Sequence, residues 1–78
     1  MATRAYILIE TAVGKTKDVS SALKALSGMQ SVDAVTGPYD IIAVFEARDL
    51  NSVGDMVTGR VHTISGIVRT VTCLAISG

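Results

Sequence analysis

The chain has 78 residues, 49% of them apolar, and its seven basic and seven acidic side chains cancel. Neither sign forms a run, which excludes the electrostatic footprint that nucleic acid or anionic lipid requires, and the single cysteine, Cys73, excludes a disulfide framework. A domain this small buries only about 60% of the surface its unfolded chain exposes, so self-association is the remaining source of stability.

Residues 5–11, Ala-Tyr-Ile-Leu-Ile-Glu-Thr, read as a first strand from their β-branched and aromatic content, ended by Gly14. Thr16 is placed to cap a helix in which Val19, Ala22, Leu23 and Leu26 recur at helical spacing, with Asp18 in the first turn and Gly28 beyond the end. Residues 30–36 and 40–47 form two further strands joined through Gly37-Pro38. Asp49 offers the next N-cap. Leu50, Val53, Val57, Val61 and Ile64 then trace a helical stripe, in spite of Gly54 and Gly59, each of which costs a helix up to about 1 kcal/mol relative to alanine. Gly66 turns the chain into the last strand, Ile67 to Ile76.

This order predicts a single α+β domain over residues 1–78 of the ferredoxin-like βαββαβ type, a four-stranded antiparallel sheet with both helices on one face. Both faces of its strands are apolar. Ile41, Ala43 and Phe45 alternate with Ile42 and Val44, and Ile67, Val71, Cys73 and Ala75 with Val68, Leu74 and Ile76. The helices cover one face, and a second copy of the sheet is the simplest cover for the other, which gives a dimeric α+β barrel. The apolar run Ile41 to Phe45 is five residues, far short of the roughly 20 that span a bilayer. Arg4, Glu10 and Lys15 interrupt any secretory hydrophobic region, so the expected location is cytoplasmic.

Catalysis has poor raw materials. His62 lies near the end of the second helix on a polar face and reads as a surface residue, and Cys73, in mid-strand, as a small buried hydrophobe. Neither has a motif partner. With no second cysteine a CxxC metal site is excluded, and with no GxGxxG or Walker spacing a nucleotide cofactor is not implied. Three aromatics, Tyr6, Tyr39 and Phe45, do not make an RNA-stacking platform.

What remains is a binding reading on the turn Thr36-Gly37-Pro38-Tyr39-Asp40, the turn Ser65-Gly66 and the hydroxyl pair Thr70 and Thr72. Together they suit a zwitterion, because an α-ammonium group asks for a carboxylate such as Asp40, and an α-carboxylate for backbone N–H groups near glycines and for hydroxyl donors. Thr70 and Thr72 are two apart on a strand and share a face. Purely structural roles fit the same residues. Gly37 serves the turn regardless of ligand, Asp40 can cap the hairpin or pair with Arg48 or Arg69, and threonines are ordinary in strands.

The run Val32-Asp33-Ala34-Val35-Thr36-Gly37-Pro38-Tyr39-Asp40-Ile41-Ile42, with Ile64-Ser65-Gly66-Ile67 and Thr70-Val71-Thr72, resembles the effector-binding domain of the leucine-responsive/asparagine regulator (Lrp/AsnC) family, also called the RAM domain. The resemblance covers essentially the whole chain. It implies dimers by sheet-on-sheet packing, rings of four or five dimers (an octamer or decamer), and an amino-acid effector seated between neighbouring dimers. Carried onto this sequence, it nominates Gly37, Tyr39 and Asp40, with Ser65, Gly66, Thr70 and Thr72. Ser65 stands where such domains commonly carry a proline. Family members usually have an N-terminal helix-turn-helix domain, whereas here Met1 leads almost directly into the first strand, which implies a stand-alone module without a DNA-binding domain.

The expectation is therefore an amino-acid-sensing oligomer, with no cofactor, metal or catalytic residue. It would modulate transcription indirectly, through its assembly or through contact with a full-length regulator of the family. Two alternatives come from other classes. One is a small cofactor-free monooxygenase or isomerase of the dimeric α+β barrel type, with His62 or Asp40 as proton acceptor, and the other a structural ring-former without ligand.

Overall fold

The first strand, β1 (Thr3–Thr11), decides which face of the sheet is covered. Its odd positions Ala5, Ile7 and Ile9 are fully buried, whereas Arg4 and Tyr6 are exposed and Leu8 half-buried. A computed structural model describes residues 2–77 and continues with α1 (Thr16–Lys24), β2 (Met29–Ala34), β3 (Ile41–Ala47), α2 (Leu50–Met56) and β4 (Ile67–Leu74). The four strands form one antiparallel sheet in the order β2-β3-β1-β4, the ferredoxin-like arrangement read from the sequence. One cluster joins the covered face to both helices: Ala5, Ile7, Ile9, Ile41, Ala43 and Phe45 from the sheet, Val19 and Leu23 from α1, Val53 and Met56 from α2, and Val57 and Val61 just beyond it.

Each helix forms where its sequence places it, but the caps differ. Asp49 caps α2 as expected, its carboxylate accepting the Ser52 N–H at 2.8 Å from an extended backbone. Thr16, expected as the α1 cap, is instead the first helical residue. Its hydroxyl shares a hydrogen bond with that of Thr11 at 2.7 Å, and Lys15 precedes the helix in helical conformation with no side-chain cap. Past Met56, α2 widens into a π-helical turn, Val57–Val61, closed by the His62 N–H on the Val57 carbonyl at 2.9 Å. Leu50 leaves the expected stripe. It is 60% exposed, because the helix begins outside the reach of the core cluster.

The strands are shorter at the turns than the sequence suggested. The second stops at Ala34 and the third starts at Ile41, so residues 35–40 are a loop, closed by the Val35 N–H on the Asp40 carbonyl. The fourth ends at Leu74, although Ala75 still donates to the Arg4 carbonyl. A bulge corrects the facing of Ile67. Glu10 lies opposite Arg69 but Thr11 opposite Ile67, so Val68 is an extra residue in β4, and Ile67 packs on the core rather than with Val71 and Cys73. Cys73 is exposed beside its cross-strand partner Tyr6 and is not the buried hydrophobe expected.

The uncovered face carries Tyr6, Leu8, Ile42, Val44, Val71 and Cys73, with Tyr6 and Val71 each 37% exposed. The ion pair Arg4–Glu46, at 3.0 Å, lies toward one end of this patch and Glu10–Arg69, at 3.4 Å, toward the other.

Candidate functional site

The end of β1 is where the two nominated turns meet. The Thr11 N–H donates to Asp40 Oδ2 at 2.8 Å, and the next N–H, of Ala12, donates to the Gly66 carbonyl at 2.8 Å. Both turns are therefore tied to consecutive residues, the last of β1 and the one after it, beside the bulge, where the regular ladder no longer uses those donors. Asp40 is held further by its own N–H, which donates to the Ile9 carbonyl at 2.9 Å, and by its carbonyl, which accepts from Val35.

Asp40 has the hairpin-capping role and does not pair with Arg48 or Arg69. Arg48 reaches Asp49 at 3.9 Å, and Arg69 reaches Glu10. The capping bond occupies Oδ2 and leaves Oδ1 without a partner among the described residues, so half of the carboxylate is still available as an acceptor. Tyr39, one residue earlier, lies under the Arg69 guanidinium, 5.4 Å from ring centroid to Cζ. Gly37 has φ +119°, in the region that favours glycine, and open space where a Cβ would stand.

The second group of nominated residues is only partly assembled. Thr70 lies opposite Ile9 and Thr72 opposite Ile7, so they share the helix-side face as expected. Thr70 alone joins a cleft, of about 250 Å³, lined also by His62, Ile67, Val68 and Arg69. Its hydroxyl sits 3.0 Å from His62 Nε2. Thr72 is exposed one register pair further along the edge strand, and Ser65 is exposed with no side-chain hydrogen bond. A larger cleft, of about 310 Å³, is lined by Ser27, Phe45, Ser52, Asp55, Met56 and Arg60 and contains none of the nominated residues.

Arg69, Glu10 and His62 lie in this region outside the nominated ligand-binding set, although the sequence named His62 as a proton acceptor under the enzyme alternative and Arg69 as a partner for Asp40. Their signal was there in part, since Glu10 and Arg69 are opposite charges near facing strand ends, but the bulge that aligns them has no marker in the local sequence. Among the described residues, no group of three His, Cys, Asp or Glu side chains could hold a metal, and no helix is long and apolar enough to cross a membrane.

The family model described as the Lrp/AsnC ligand binding domain matches residues 4–78. Among solved structures, a protein of Thermus thermophilus is 32% identical with a TM-score of 0.92, the match covering 100% of this chain and 96% of that one. Escherichia coli AsnC is 18% identical at TM-score 0.92, covering 97% of this chain and 52% of that one. A transcriptional regulator of Neisseria meningitidis, solved as a complex with L-methionine, is 14% identical at TM-score 0.87, covering 96% and 50%. The chain thus spans about half of each of these two regulators, and the likeness to them is one of fold. No curated protein matches the chain.

Proposed function

We propose, from the premise that this chain belongs to the Lrp/AsnC ligand binding domain family, that it is an oligomeric amino-acid sensor of the cytoplasm. The observation that carries the reading is the meeting of the loop 35–40 and the turn Ser65-Gly66 on Thr11 and Ala12 at the end of β1, with Tyr39, next to Asp40 in sequence, under the Arg69 guanidinium. The Asp40 carboxylate, with one oxygen free among the described residues, suits the α-ammonium end of a free amino acid. The relative in complex with L-methionine gives that ligand class support.

The uncovered sheet face is docked on a second copy of itself, since a patch with an apolar centre and ionic ends has the anatomy of a self-complementary interface. Dimers then associate into rings of four or five, and the effector sits where neighbouring dimers bring Gly37, Tyr39, Asp40, Ser65, Gly66, Thr70 and Thr72 together. A ligand seated there stabilises only the association state that completes its site. Regulation of transcription is indirect, through that assembly or through contact with a full-length regulator of the family. The enzyme alternative gains nothing from His62, which is exposed and hydrogen-bonded to Thr70 rather than aimed into an enclosed apolar cavity.

Melting curves across a panel of the common amino acids, with native mass spectrometry on the same samples, test the proposal. A ligand at 100 times its dissociation constant adds about 2.7 kcal/mol per site to the folded assembly, which raises the melting temperature and sharpens one oligomer. Flat curves at saturating concentrations would remove the sensor, and a single subunit at all concentrations would remove the assembly.

A further inference from the structure

We infer that the cleft of about 310 Å³ between β3, α2 and the segment that follows α1 binds a dipolar ligand whose charges lie at the two ends of an apolar chain, the chemistry of an ω-amino carboxylate. The cleft opens on the helix side of the sheet and shares no residue with the proposed sensor site, so the inference stands apart from that reading.

The floor is apolar and fixed. It is made by Phe45 and Met56, both buried members of the core cluster that α2 and the sheet share. The Phe45 ring edge lies so close to Gly28 that an added Cβ there would stand 2.5 Å from Cε1, which holds the ring from one side. Its volume is at the small end of the roughly 300–1,000 Å³ typical of ligand clefts, which suits one short chain.

The charges at the rim are unspent. Asp55 and Arg60 both line this cleft and are exposed, yet neither has an ion pair among the described residues, with each other or with any other side chain. Asp49, the acidic neighbour before α2, is by contrast already engaged by the Ser52 N–H and by Arg48. Asp55 and Arg60 are five residues apart, and a rise of about 1.5 Å per residue sets them about 7 Å apart along the helix axis. An α-amino acid carries both charges on one carbon and cannot meet the two at once. An ω-amino carboxylate separates them, so its ammonium reaches Asp55, its carboxylate takes the Arg60 guanidinium, and its methylenes lie on Phe45 and Met56. The hydroxyls of Ser27 and Ser52 on the same cleft add hydrogen-bonding groups for either end.

The test uses the intact chain, labelled at its methionine methyls and backbone amides, and follows NMR signals during titration with ε-aminocaproate. Caproate and hexylamine, at matched ionic strength, serve as analogues charged at one end. Saturable shifts of the Met56 methyl and of the Ser27 and Ser52 amides are expected, with Tyr39 and Gly66 unmoved, and each analogue should bind at least tenfold more weakly, about 1.4 kcal/mol. A still Met56 methyl, or analogues that bind as well as ε-aminocaproate, overturns the inference without any variant having to fold. Asp55→Asn and Arg60→Gln then change exposed side chains that no ion pair holds, and each should melt as wild type does while losing at least tenfold in affinity for ε-aminocaproate. Binding within about twofold of wild type in both variants, on the 1.4 kcal/mol per decade scale, overturns the inference as well. A saturable ε-aminocaproate response beside flat melting curves for the α-amino acids supports the cleft and removes the sensor alone.

Discussion

Val44 and Phe45 are neighbours in β3 and belong to different environments. Phe45 is 6% exposed in the core under the helices, whereas Val44 is half-buried on a face that nothing in the chain covers. The same alternation separates Ile7 from Leu8 and Tyr6 in β1. The covered face is satisfied by α1 and α2; the other has nearly the same apolar content and no helix. A strand with one wet face would carry polar residues at the even positions. Here the polar side chains lie around the margin of the face, at Arg4–Glu46, at Glu10–Arg69 and on the edge strand β2 at Ser31 and Asp33, opposite Val44 and Ile42, and the apolar even positions of β1 and β3 at its centre suit the partner surface proposed above.

The largest effect should come from breaking the covered side. Phe45→Ala removes a core aromatic and is expected to cost about 3–5 kcal/mol in denaturant unfolding. The ring has little room to be replaced by collapse, because its edge already lies against Gly28. Val44→Asp, one residue away, should leave the subunit's helices intact by circular dichroism and instead weaken self-association, by tenfold or more, about 1.4 kcal/mol. Light scattering with size exclusion reads the mass directly. An unchanged mass and an unchanged concentration dependence of melting would show that the open face is not the interface.

An intermediate effect is expected where the two faces converge at the end of β1. Gly66 has φ +100°, and a Cβ there would stand 3.0 Å from both Lys15 Cβ and Val19 Cγ2, so Gly66→Ala pushes the turn against α1. A loss of about 1–3 kcal/mol follows from a strained conformation of this kind. Gly37→Ala carries the conformational cost alone, since open space surrounds it, and should lose less. Equal losses would mean that contact with α1 contributes nothing at Gly66.

The fold was legible because each of its signals is local. Period-two and period-3.6 apolar spacing, Asp49 before α2 and glycines at the turns are all readable within a few residues of chain. The apolar even positions led to the expectation of a second buried face, and within the subunit only the odd ones are buried. The candidate site was less legible for a corresponding reason: it is built from cross-strand relations. The bulge at Val68 turns Ile67 inward, brings Arg69 opposite Glu10 and leaves the N–H groups of Thr11 and Ala12 to bind the two turns. Alternation extrapolated through a bulge puts residues on the wrong side, as happened with Ile67. Thr16 failed as a cap through a competitor that local sequence does not rank, the hydroxyl of Thr11.

The smallest effect concerns how α2 is held over the covered face. The Asp49 carboxylate is pulled below the ordinary carboxylate range, first by the Ser52 backbone N–H, then by the Ser52 side chain, with a weaker contribution from Arg48. A carboxyl whose folded pKa is depressed stabilises the fold above its unfolded pKa, and that contribution is lost as pH falls through the folded value. Asp49→Asn keeps a capping acceptor but no charge. Its melting temperature should therefore lie slightly below that of wild type at neutral pH, and the gap should close as pH drops beneath about 3.9, the usual unfolded value for aspartate. Asp49→Ala should stay lower across the range, because it also loses the acceptor. A gap between wild type and Asp49→Asn that persisted undiminished in acid would place the stabilisation in the shape of the cap rather than its charge, and α2 would then be anchored over the core by geometry alone.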